Sequence, residues 1–383
     1  MNATKDHYIL TINPGSTSTK IGIFKNEEQQ IKRNIPHYDQ EIGSFKSVWD
    51  QYAYRKEAIL EVIRKENFDI RQLCCVVGRG GLFRPIVSGT YTINKKMLDD
   101  ARNAIQGEHA SNLGCVLAYG IAWDYNIDSF IVDPPCVDEM EDVARISGHV
   151  AIKRRSLVHA LNIKAIARAA SMELKKPLSQ LNLIVVHLGG GISVTPLQKG
   201  RMIDTSDALS SGPFTPERTG SLPMVDFVEY VFENKMELEK AQKMLVGKGG
   251  MYSYLKTKSM KEADEEYKKE EPRFQLIVQA MAYQVSKEIG AMAATLKGDI
   301  DALVLTGGAA HSQIMVDLIK KRVSFLVKDE GSILVFPGED ELKALAQGAL
   351  RVLRGEEEAL TYPQQIQYKD WFEKEREEAG GKS

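Results

Sequence analysis

Short apolar runs that stop at small or glycine residues recur along this chain. Tyr8–Asn13 is a run typical of a buried strand, Pro14-Gly15 ends it, and Lys20–Phe24 resumes a strand pattern. The same pattern returns with Leu183–Leu188, three glycines and Ile192–Leu197. Two strand–turn–strand units about 175 residues apart predict two similar domains that derive from a duplicated ancestor.

A third apolar run, Ala302–Leu305, stops at Thr306-Gly307-Gly308, and helical periodicity fills much of the remaining chain. The predicted helices are Lys56–Glu66, Ser156–Met172, Phe274–Leu296 and Glu341–Leu353. Of these, Phe274–Leu296 is long, rich in alanine and free of proline, and is predicted to be a buried central helix. The charge run Lys256–Arg273 indicates a solvated helix or loop. Strands that alternate with helices predict an α/β protein.

The length and composition narrow the function classes. A chain of 383 residues with 43% hydrophobic and 27% charged residues predicts two globular domains. The net charge of −2, with acids and bases interspersed, argues against a nucleic-acid or membrane-surface partner. The start of the chain has no leader pattern, and no run of 18 apolar residues follows. Four cysteines without CxxC pairing indicate reduced thiols, so a cytoplasmic location is expected.

The first loop, Asn13-Pro-Gly-Ser-Thr-Ser-Thr-Lys20, combines backbone amides, hydroxyls and one cation. A phosphate needs many donors and little steric bulk, and small residues between two strands supply both. The spacings GxxxxGK[ST] and GxGxxG are absent, so neither a Walker loop nor a Rossmann fingerprint is indicated. Taken alone, the segment is also explained by an ordinary Ser/Thr hairpin turn.

Two later loops share this composition. His187–Ser193 contains three consecutive glycines, which let the backbone approach an anion and adopt positive φ. Thr306–Ser312 places small residues after a strand, where a nucleotide base, ribose or phosphate could lie over the backbone. Each loop alone is also explained by a tight turn. Together the three loops favour a nucleoside triphosphate bound between two domains.

The chain resembles the acetate kinase family, within the larger superfamily of sugar kinases, actin and heat-shock chaperone ATPases. The resemblance covers nearly the whole chain and is strongest to the butyrate-phosphorylating members. It rests on segments in family order: Asn13–Lys20, Val77–Gly81, Ile131–Pro135, His187–Ser193, Asp204–Ser206, Thr215–Gly220, Thr306–Ser312 and Pro337–Leu342. It implies two ribonuclease H-like, actin-like ATPase lobes from a duplication, with mixed central sheets flanked by helices. The expected N-terminal lobe comprises 1–150 together with about 346–383, where a C-terminal helix returns to it. The expected C-terminal, nucleotide-binding lobe comprises 151–345.

The resemblance also implies which residues act. Arg79 and Arg218 match arginines that bind the carboxylate and the transferring phosphoryl group. Asp133 matches an essential aspartate, and His109 matches a histidine that lines the site. The implied ligands of ATP or ADP are Asn13, Ser16, Ser18, Lys20, His187, Gly189, Gly190, Gly191, Gly307, Gly308, Ala309 and Ala310.

A Mg²⁺ ion is implied beside Asn13 and an acidic residue of the stretch Glu339-Asp340-Glu341. Strict alignment selects Asp340, with its two neighbours as alternatives. Two segments depart from the family pattern. Arg155–His159 stands where a His-Gly-Thr-Ser-His stretch is usual, which predicts that no histidine serves the phosphoryl group here, and Tyr254–Lys256 replaces an Asp-x-Arg nucleotide segment.

The implied reaction is a reversible phosphorylation of a short-chain carboxylate by ATP, which forms an acyl phosphate and ADP. A carboxylate is already ionised at pH 7, so no general base is needed. The obstacle is repulsion between two anions, and Arg79 and Arg218 suit its neutralisation. Asp133 is then expected to orient an arginine or a metal-bound water. For Asp204, capping or turn formation is as plausible as catalysis.

The acid is expected to be butyrate. Gly80 and Gly81 follow the first arginine where bulkier residues are usual, and two absent side chains would open space for a longer alkyl group. Two buried methylenes contribute about 1.6 kcal/mol, or roughly 15-fold in selectivity. Acetate, propionate and branched acids remain alternatives, and Gly81→Val is expected to shift the preference toward acetate.

Two other function classes stay open from the sequence. A sugar or polyol kinase of the same superfamily would need a general base, which Asp133 could supply. An ATP-gated binding module would need a partner-binding segment, for which only the acidic tail after Gly355 is spare. The family resemblance implies a homo-oligomer, a dimer or larger. His7 and His37 are predicted to be surface residues.

Overall fold

The computed structural model describes residues 6–207, 209, 211–364 and 370–380. The first five residues, on which the expectation about a leader in part depends, and residues 365–369 and 381–383 of the tail lie outside the described residues. The strands are β1 Tyr8–Pro14, β2 Ser18–Lys25, β3 Glu28–Pro36, β4 Leu73–Gly78, β5 Thr90–Thr92, β6 Asp128–Val132, β7 Asn182–Leu188, β8 Ile192–Gln198, β9 Arg201–Met202, β10 Ala302–Gly307, β11 Ile333–Pro337 and β12 Leu360–Thr361.

Most helices connect or cover these strands. The helices are α1 Asp39–Ile42, α2 Tyr52–Lys65, α3 Lys95–Arg102, α4 Leu113–Tyr125, α5 Ala160–Glu173, α6 Met224–Glu233, α7 Leu238–Leu245, α8 Gly250–Leu255, α9 Met260–Lys268, α10 Pro272–Thr295, α11 Gln313–Val323, α12 Glu341–Leu353 and α13 Glu373–Glu378.

The chain divides into two compact units. The first comprises Met1–Asp138 and Asp340–Gln367, and the second comprises Glu139–Glu339 and Tyr368–Ser383. The divisions at 138/139 and 339/340 lie about 12 and 6 residues before those expected at 150 and 345, and 368–383 is grouped with the second unit rather than with the first. The expected domain bounds stay a prediction.

The sheet of the first unit has the strand order β12-β5-β6-β4-β1-β2-β3. Strands β1, β4 and β6 are parallel, whereas β1, β2 and β3 pair antiparallel as a meander. Helix α4 packs on β4 and β6, and α12 packs on β1 and β2. Since α4 is apolar all round, it is buried along most of its length, with Leu113, Leu117 and Ile121 at most 1% exposed.

The sheet of the second unit repeats the core of this arrangement in the order β11-β10-β7-β8-β9. Strands β7, β10 and β11 are parallel, and β7, β8 and β9 are antiparallel, as are their counterparts in the first unit. Helices α5 and α10 pack on this sheet. The same order and sense in both sheets confirm the predicted α/β class with two similar lobes.

The local predictions agree with most element positions. The strands predicted at Tyr8–Asn13 and Leu183–Leu188 are β1 and β7, and the helix predicted at Glu341–Leu353 is α12. The helix predicted from Ser156 begins only at Ala160. The expectation of a buried central helix at Phe274–Leu296 is wrong for half of α10, which buries one face and exposes Leu276 and Tyr283. None of the described helices is long and apolar enough to cross a membrane.

Candidate functional site

The loop after β1 is a tight hairpin whose donors remain available. Asn13 pairs directly with Lys20 across β1 and β2, so both side chains lie on one face of the sheet. The turn is closed by Gly15 N, which donates to Ser18 O at 2.8 Å. Within the described chain, the Lys20 ammonium forms no ion pair, and the hydroxyls of Ser16 and Ser18 form no hydrogen bond. The loop therefore keeps a cation and two hydroxyls for a ligand.

Asn13, Arg79 and Glu341 meet where β1 and β4 end. The two strands are parallel, and Arg79 N donates to Ile12 O at 2.8 Å, which places Arg79 beside Asn13. Glu341, the first residue of α12, accepts hydrogen bonds from Asn13 Nδ2 and Arg79 Nη1. The side chains of Arg79 and Glu341 are 21% and 16% exposed. The arrangement combines a guanidinium, a carboxylate and an amide oxygen in one place.

The three acidic residues before α12 have different surroundings. Asp340, the choice of strict alignment, is the N-cap of α12 and accepts from Lys343 N at 3.2 Å. Glu339 belongs to the second unit, where its Oε2 lies 3.8 Å from His187 Nε2. Glu341 alone of the three contacts Asn13. The described residues hold no cluster of three His, Cys, Asp or Glu side chains suited to a metal.

Asp133 and His109 are both fixed by hydrogen bonds. Asp133 follows β6 with a left-handed φ of 39° and is 2% exposed. Its Oδ1 accepts from Ser88 Oγ at 2.6 Å and from Gly89 N at 2.8 Å. His109 accepts from Ser111 N at 3.2 Å through Nδ1, and burial together with the charge of Arg79 lowers the pKa of its ring. A lowered pKa keeps His109 neutral beside the arginine.

Gly80 and Gly81 do not border open space. A Cβ on Gly80 would lie 2.4 Å from Pro134 Cβ, and one on Gly81 would lie 2.2 Å from Asn112 Oδ1. Their missing side chains are therefore required by packing against Pro134 and Asn112. The expectation that these glycines make room for an alkyl chain is wrong, because neighbouring protein atoms already fill that space.

In the second unit, two glycine-bearing loops lie together at the carboxyl ends of parallel strands. Thr306 of β10 pairs with His187 of β7, so Gly307–Ala310 lies next to Gly189–Gly191. Gly307 has φ 91°, and a Cβ there would lie 2.4 Å from Leu188 O, whereas a Cβ on Gly308 would meet nothing within 4 Å. The carboxyl edge of parallel strands is where α/β proteins commonly bind ligands.

Arg218 is packed directly against the triple-glycine loop. Thr215 Oγ1 donates to Gly190 O at 2.6 Å and accepts from Arg218 N at 2.9 Å, which joins the two segments. A Cβ on Gly191 would lie 2.7 Å from Arg218 Nη1, so only glycine leaves room for the guanidinium. Burial lowers the pKa of Arg218, although the group stays charged at neutral pH. Thr215, to which the sequence analysis gave no role of its own, thus positions the predicted arginine.

A histidine of the Arg155–His159 segment lies beside this loop. The rings of His159 and His187 stack with centroids 3.9 Å apart, and a Cβ on Gly191 would lie 3.3 Å from His159 Cε1. His187 Nδ1 hydrogen-bonds Asn162 Oδ1 at 2.8 Å, and His159 Nδ1 hydrogen-bonds Ser193 Oγ at 3.2 Å. No local sequence signal indicated this pair, because His159 precedes α5 whereas His187 lies on β7.

Two further polar residues have structural partners. Arg154 Nη2 donates to Asp204 Oδ1 at 2.8 Å, and Asp204 also accepts from Thr205 N at 2.7 Å, which supports a structural role for Asp204. The prediction that His37 is a surface residue is wrong. His37 is 4% exposed, its Nε2 lies 2.8 Å from Thr19 Oγ1, and burial followed by the charge of Arg55 lowers its pKa to about 4.

Comparison with known proteins finds a family similarity for part of the chain and a shared fold for most of it. The sequence model of the Acetokinase family matches residues 145–328. Those residues form the segment that is similar to this family. It contains His159, the triple-glycine loop, Arg218 and Gly307–Ala310, whereas Asn13, Arg79, Asp133 and Glu341 lie outside it.

Solved structures resemble nearly the whole chain. An acetate kinase from Porphyromonas gingivalis is 15% identical with a TM-score of 0.73, covering 91% of this chain and all of that chain. A propionate kinase from Francisella tularensis subsp. tularensis is 18% identical with a TM-score of 0.71, covering 89% and 98%. An acetate kinase from Entamoeba histolytica is 16% identical with a TM-score of 0.71, covering the same shares. At these identities the likeness shows that the chain has a fold of this kind.

Proposed function

We propose that this protein is a carboxylate kinase, which transfers the γ-phosphoryl group of ATP to a short-chain carboxylate and forms an acyl phosphate and ADP. One observation carries the proposal: each unit fixes one of the two predicted arginines against a loop at the end of its central strands. Arg79 lies beside Asn13 and Glu341, and Arg218 lies against Gly191. The acetokinase-family match over 145–328 supports the same activity.

Paired arginines suit a reaction between two anions better than the phosphorylation of a neutral hydroxyl. An oxygen of the carboxylate attacks the γ-phosphorus, and the bond to the bridging oxygen breaks with its electrons leaving on ADP. The carboxylate is already ionised, so no proton has to be removed. A guanidinium presents a planar fork that matches carboxylate or phosphoryl oxygens. Arg79 is proposed to bind the carboxylate and Arg218 the transferring phosphoryl group.

Asp133 is proposed to orient a neighbouring group. Two donors, Ser88 Oγ and Gly89 N, already occupy its Oδ1, and its left-handed backbone fixes its direction. Held in this way, Asp133 can serve as a fixed hydrogen-bond acceptor for an arginine or a water molecule. His109, kept neutral beside Arg79, adds no competing charge for the carboxylate.

The donor set fits Mg²⁺ and a nucleotide. Glu341 and the amide oxygen of Asn13 are hard oxygen ligands, and Mg²⁺ commonly uses one or two protein ligands together with phosphate oxygens and water. When bound, the ion would neutralise negative charge on the phosphates. Ser16, Ser18 and Lys20 offer donors to phosphate oxygens. The open space over Gly308, with Gly307, Ala309 and Ala310 around it, suits the flat part of a nucleotide.

Trapping of the acyl phosphate as a hydroxamate tests the activity. Purified protein with ATP, Mg²⁺ and hydroxylamine should form hydroxamates from acids of two to five carbons and should not phosphorylate sugars. Phosphorylation of a sugar or polyol would replace the proposal with a hydroxyl kinase. Hydrolysis of ATP without either product would point to an ATP-gated binding module.

Butyrate is proposed as the preferred acid, with acetate, propionate and branched acids as alternatives. The choice rests on the resemblance described above, since Gly80 and Gly81 are packed against protein atoms and no longer argue for a longer chain. Values of kcat/KM across the acid series decide it, and a maximum at acetate or propionate would reject butyrate. We also propose that the protein is cytoplasmic and forms a homo-oligomer.

A further inference from the structure

We propose that Arg55 is a positioning residue that shapes a phosphate subsite in the Asn13–Lys20 loop. By holding the loop carbonyls, it turns the N–H groups of Ser16 and Thr17 toward the ligand. This inference rests on the proposed function and deepens it, because it explains how the first loop would present its donors.

The guanidinium of Arg55 gathers the carbonyl oxygens of the loop. Arg55 lies on α2, is 1% exposed, and donates through Nη1 to Gly15 O at 3.0 Å and Ser18 O at 3.4 Å. Its Nη2 donates to Ser16 O at 3.3 Å. A trans peptide points its carbonyl and the following N–H in opposite directions, so the N–H groups of Ser16 and Thr17 face away from Arg55.

Those two N–H groups are available to a ligand. Ser16 and Thr17 are exposed, and neither backbone N–H donates to another group in the described part of the chain. Successive backbone N–H groups that point the same way form a concavity that binds anions. The free Ser16 hydroxyl lies on the same loop.

A rigid network holds the guanidinium in this position. Gln51 Oε1, one helical turn earlier, accepts from Nε at 3.0 Å and from Nη2 at 2.8 Å. Thr19 Oγ1 accepts from Nη1 at 2.9 Å and is itself bonded to His37. Only a guanidinium offers five donors in one plane, so lysine could not satisfy the same acceptors.

The charge of Arg55 also lacks a counter-ion within the protein. No carboxylate among the described residues lies within ion-pair distance of Arg55. A buried cation without an anionic partner is costly, and the loop carbonyls compensate it only in part. A phosphate bound on the far side of the loop would supply the missing negative charge, which gives this buried cation a function.

The test compares Arg55→Lys and Arg55→Gln with Arg64→Gln. Arg64 lies on the same helix but is exposed, and among the described residues its one ion pair is with Glu57. Calorimetry of ADP binding is combined with KM for ATP, KM for the acid and kcat in the hydroxamate assay. Both Arg55 variants should weaken ADP binding and raise KM for ATP about tenfold or more, with KM for the acid changed about twofold or less. Arg64→Gln should match wild type.

Rescue separates positioning from simple loss of structure. In Arg55→Ala, millimolar guanidinium should restore ADP affinity, whereas the same concentration of methylammonium should not. If Arg55→Ala does not fold, Thr19→Val, which removes one anchor of the guanidinium, should still weaken ADP binding without changing KM for the acid. Wild-type ADP affinity in the folded Arg55 variants, or equal loss of acid and nucleotide binding, would overturn the proposal. If wild type binds ADP but forms no acyl phosphate, the proposed function fails while the ADP measurements still decide the role of Arg55.

Discussion

Replacing Gly81 with alanine distinguishes a packed contact from an open acyl pocket. The added Cβ would lie 2.2 Å from Asn112 Oδ1 and 2.6 Å from Asn112 Cα, so the neighbour would have to move. Asn112 currently accepts from Leu82 N at 2.9 Å and donates to Gly107 O at 3.0 Å. Its displacement would loosen the segment that leads into α4.

The size of the effect follows from these contacts. Overpacking costs about 1–3 kcal/mol, and each of the two hydrogen bonds contributes about 1 kcal/mol. We therefore expect Gly81→Ala to lower the free energy of unfolding by about 3–5 kcal/mol, a large part of the roughly 5–15 kcal/mol of a typical domain. Because Arg79 is only two residues away, kcat/KM should fall by a similar factor for every acid.

Urea unfolding and kcat/KM for acetate, propionate and butyrate measure both effects. Gly148→Ala is the control, since a Cβ there would meet nothing within 4 Å, and it should leave stability and activity unchanged. The packing argument would be refuted by a Gly81→Ala variant of normal stability in which the ratio of kcat/KM for butyrate to kcat/KM for acetate falls roughly 15-fold. That is the selectivity expected from two buried methylenes.

Three further outcomes are expected. Arg79→Lys and Arg218→Lys should each lower kcat/KM about 100-fold or more in a protein with an unchanged circular dichroism spectrum, because an ammonium lacks the planar fork; full activity would contradict charge neutralisation by these groups. Glu341→Gln should raise the Mg²⁺ concentration for half-maximal rate about tenfold, whereas Asp340→Asn should leave it unchanged; the opposite pattern would assign the metal to Asp340. His37 has a folded pKa of about 4, below its ordinary 6.5, so the unfolded chain binds more protons between these values, and up to about 3 kcal/mol of stability should be lost as pH falls from 6.5 toward 4. Parallel pH profiles of the unfolding free energy for wild type and His37→Gln would refute that linkage.

Elements and loops were predictable where the signal is local. The amphipathic pattern after Pro337-Gly338 predicted Glu341–Leu353 with its observed bounds. The apolar runs predicted β1, β7 and β10, and the small residues after them predicted three loops at strand ends. The start of α5 was placed four residues too early, since His159 precedes the helix as its N-cap and packs its ring against His187.

Contacts between distant segments could not be predicted in the same way. Which acidic residue reaches Asn13 depends on the direction in which α12 begins, and Glu341 lies 328 positions from Asn13. The burial of His37 follows from packing against Thr19 and Arg55. The close contact of Gly81 with Asn112 depends on where α4 approaches β4.

By itself, the sequence determined the α/β class, the repeated strand–turn–strand units and the residue types available for handling anions. These properties follow from periodicity and backbone preference, which act over a few residues. Only the tertiary structure decided that Glu341 rather than Asp340 contacts Asn13, that His159 lies beside the glycine loop, and that Arg55 supports the Asn13–Lys20 loop from beneath. Those outcomes depend on which side chains long-range packing brings within hydrogen-bond distance, and no local pattern encodes that choice.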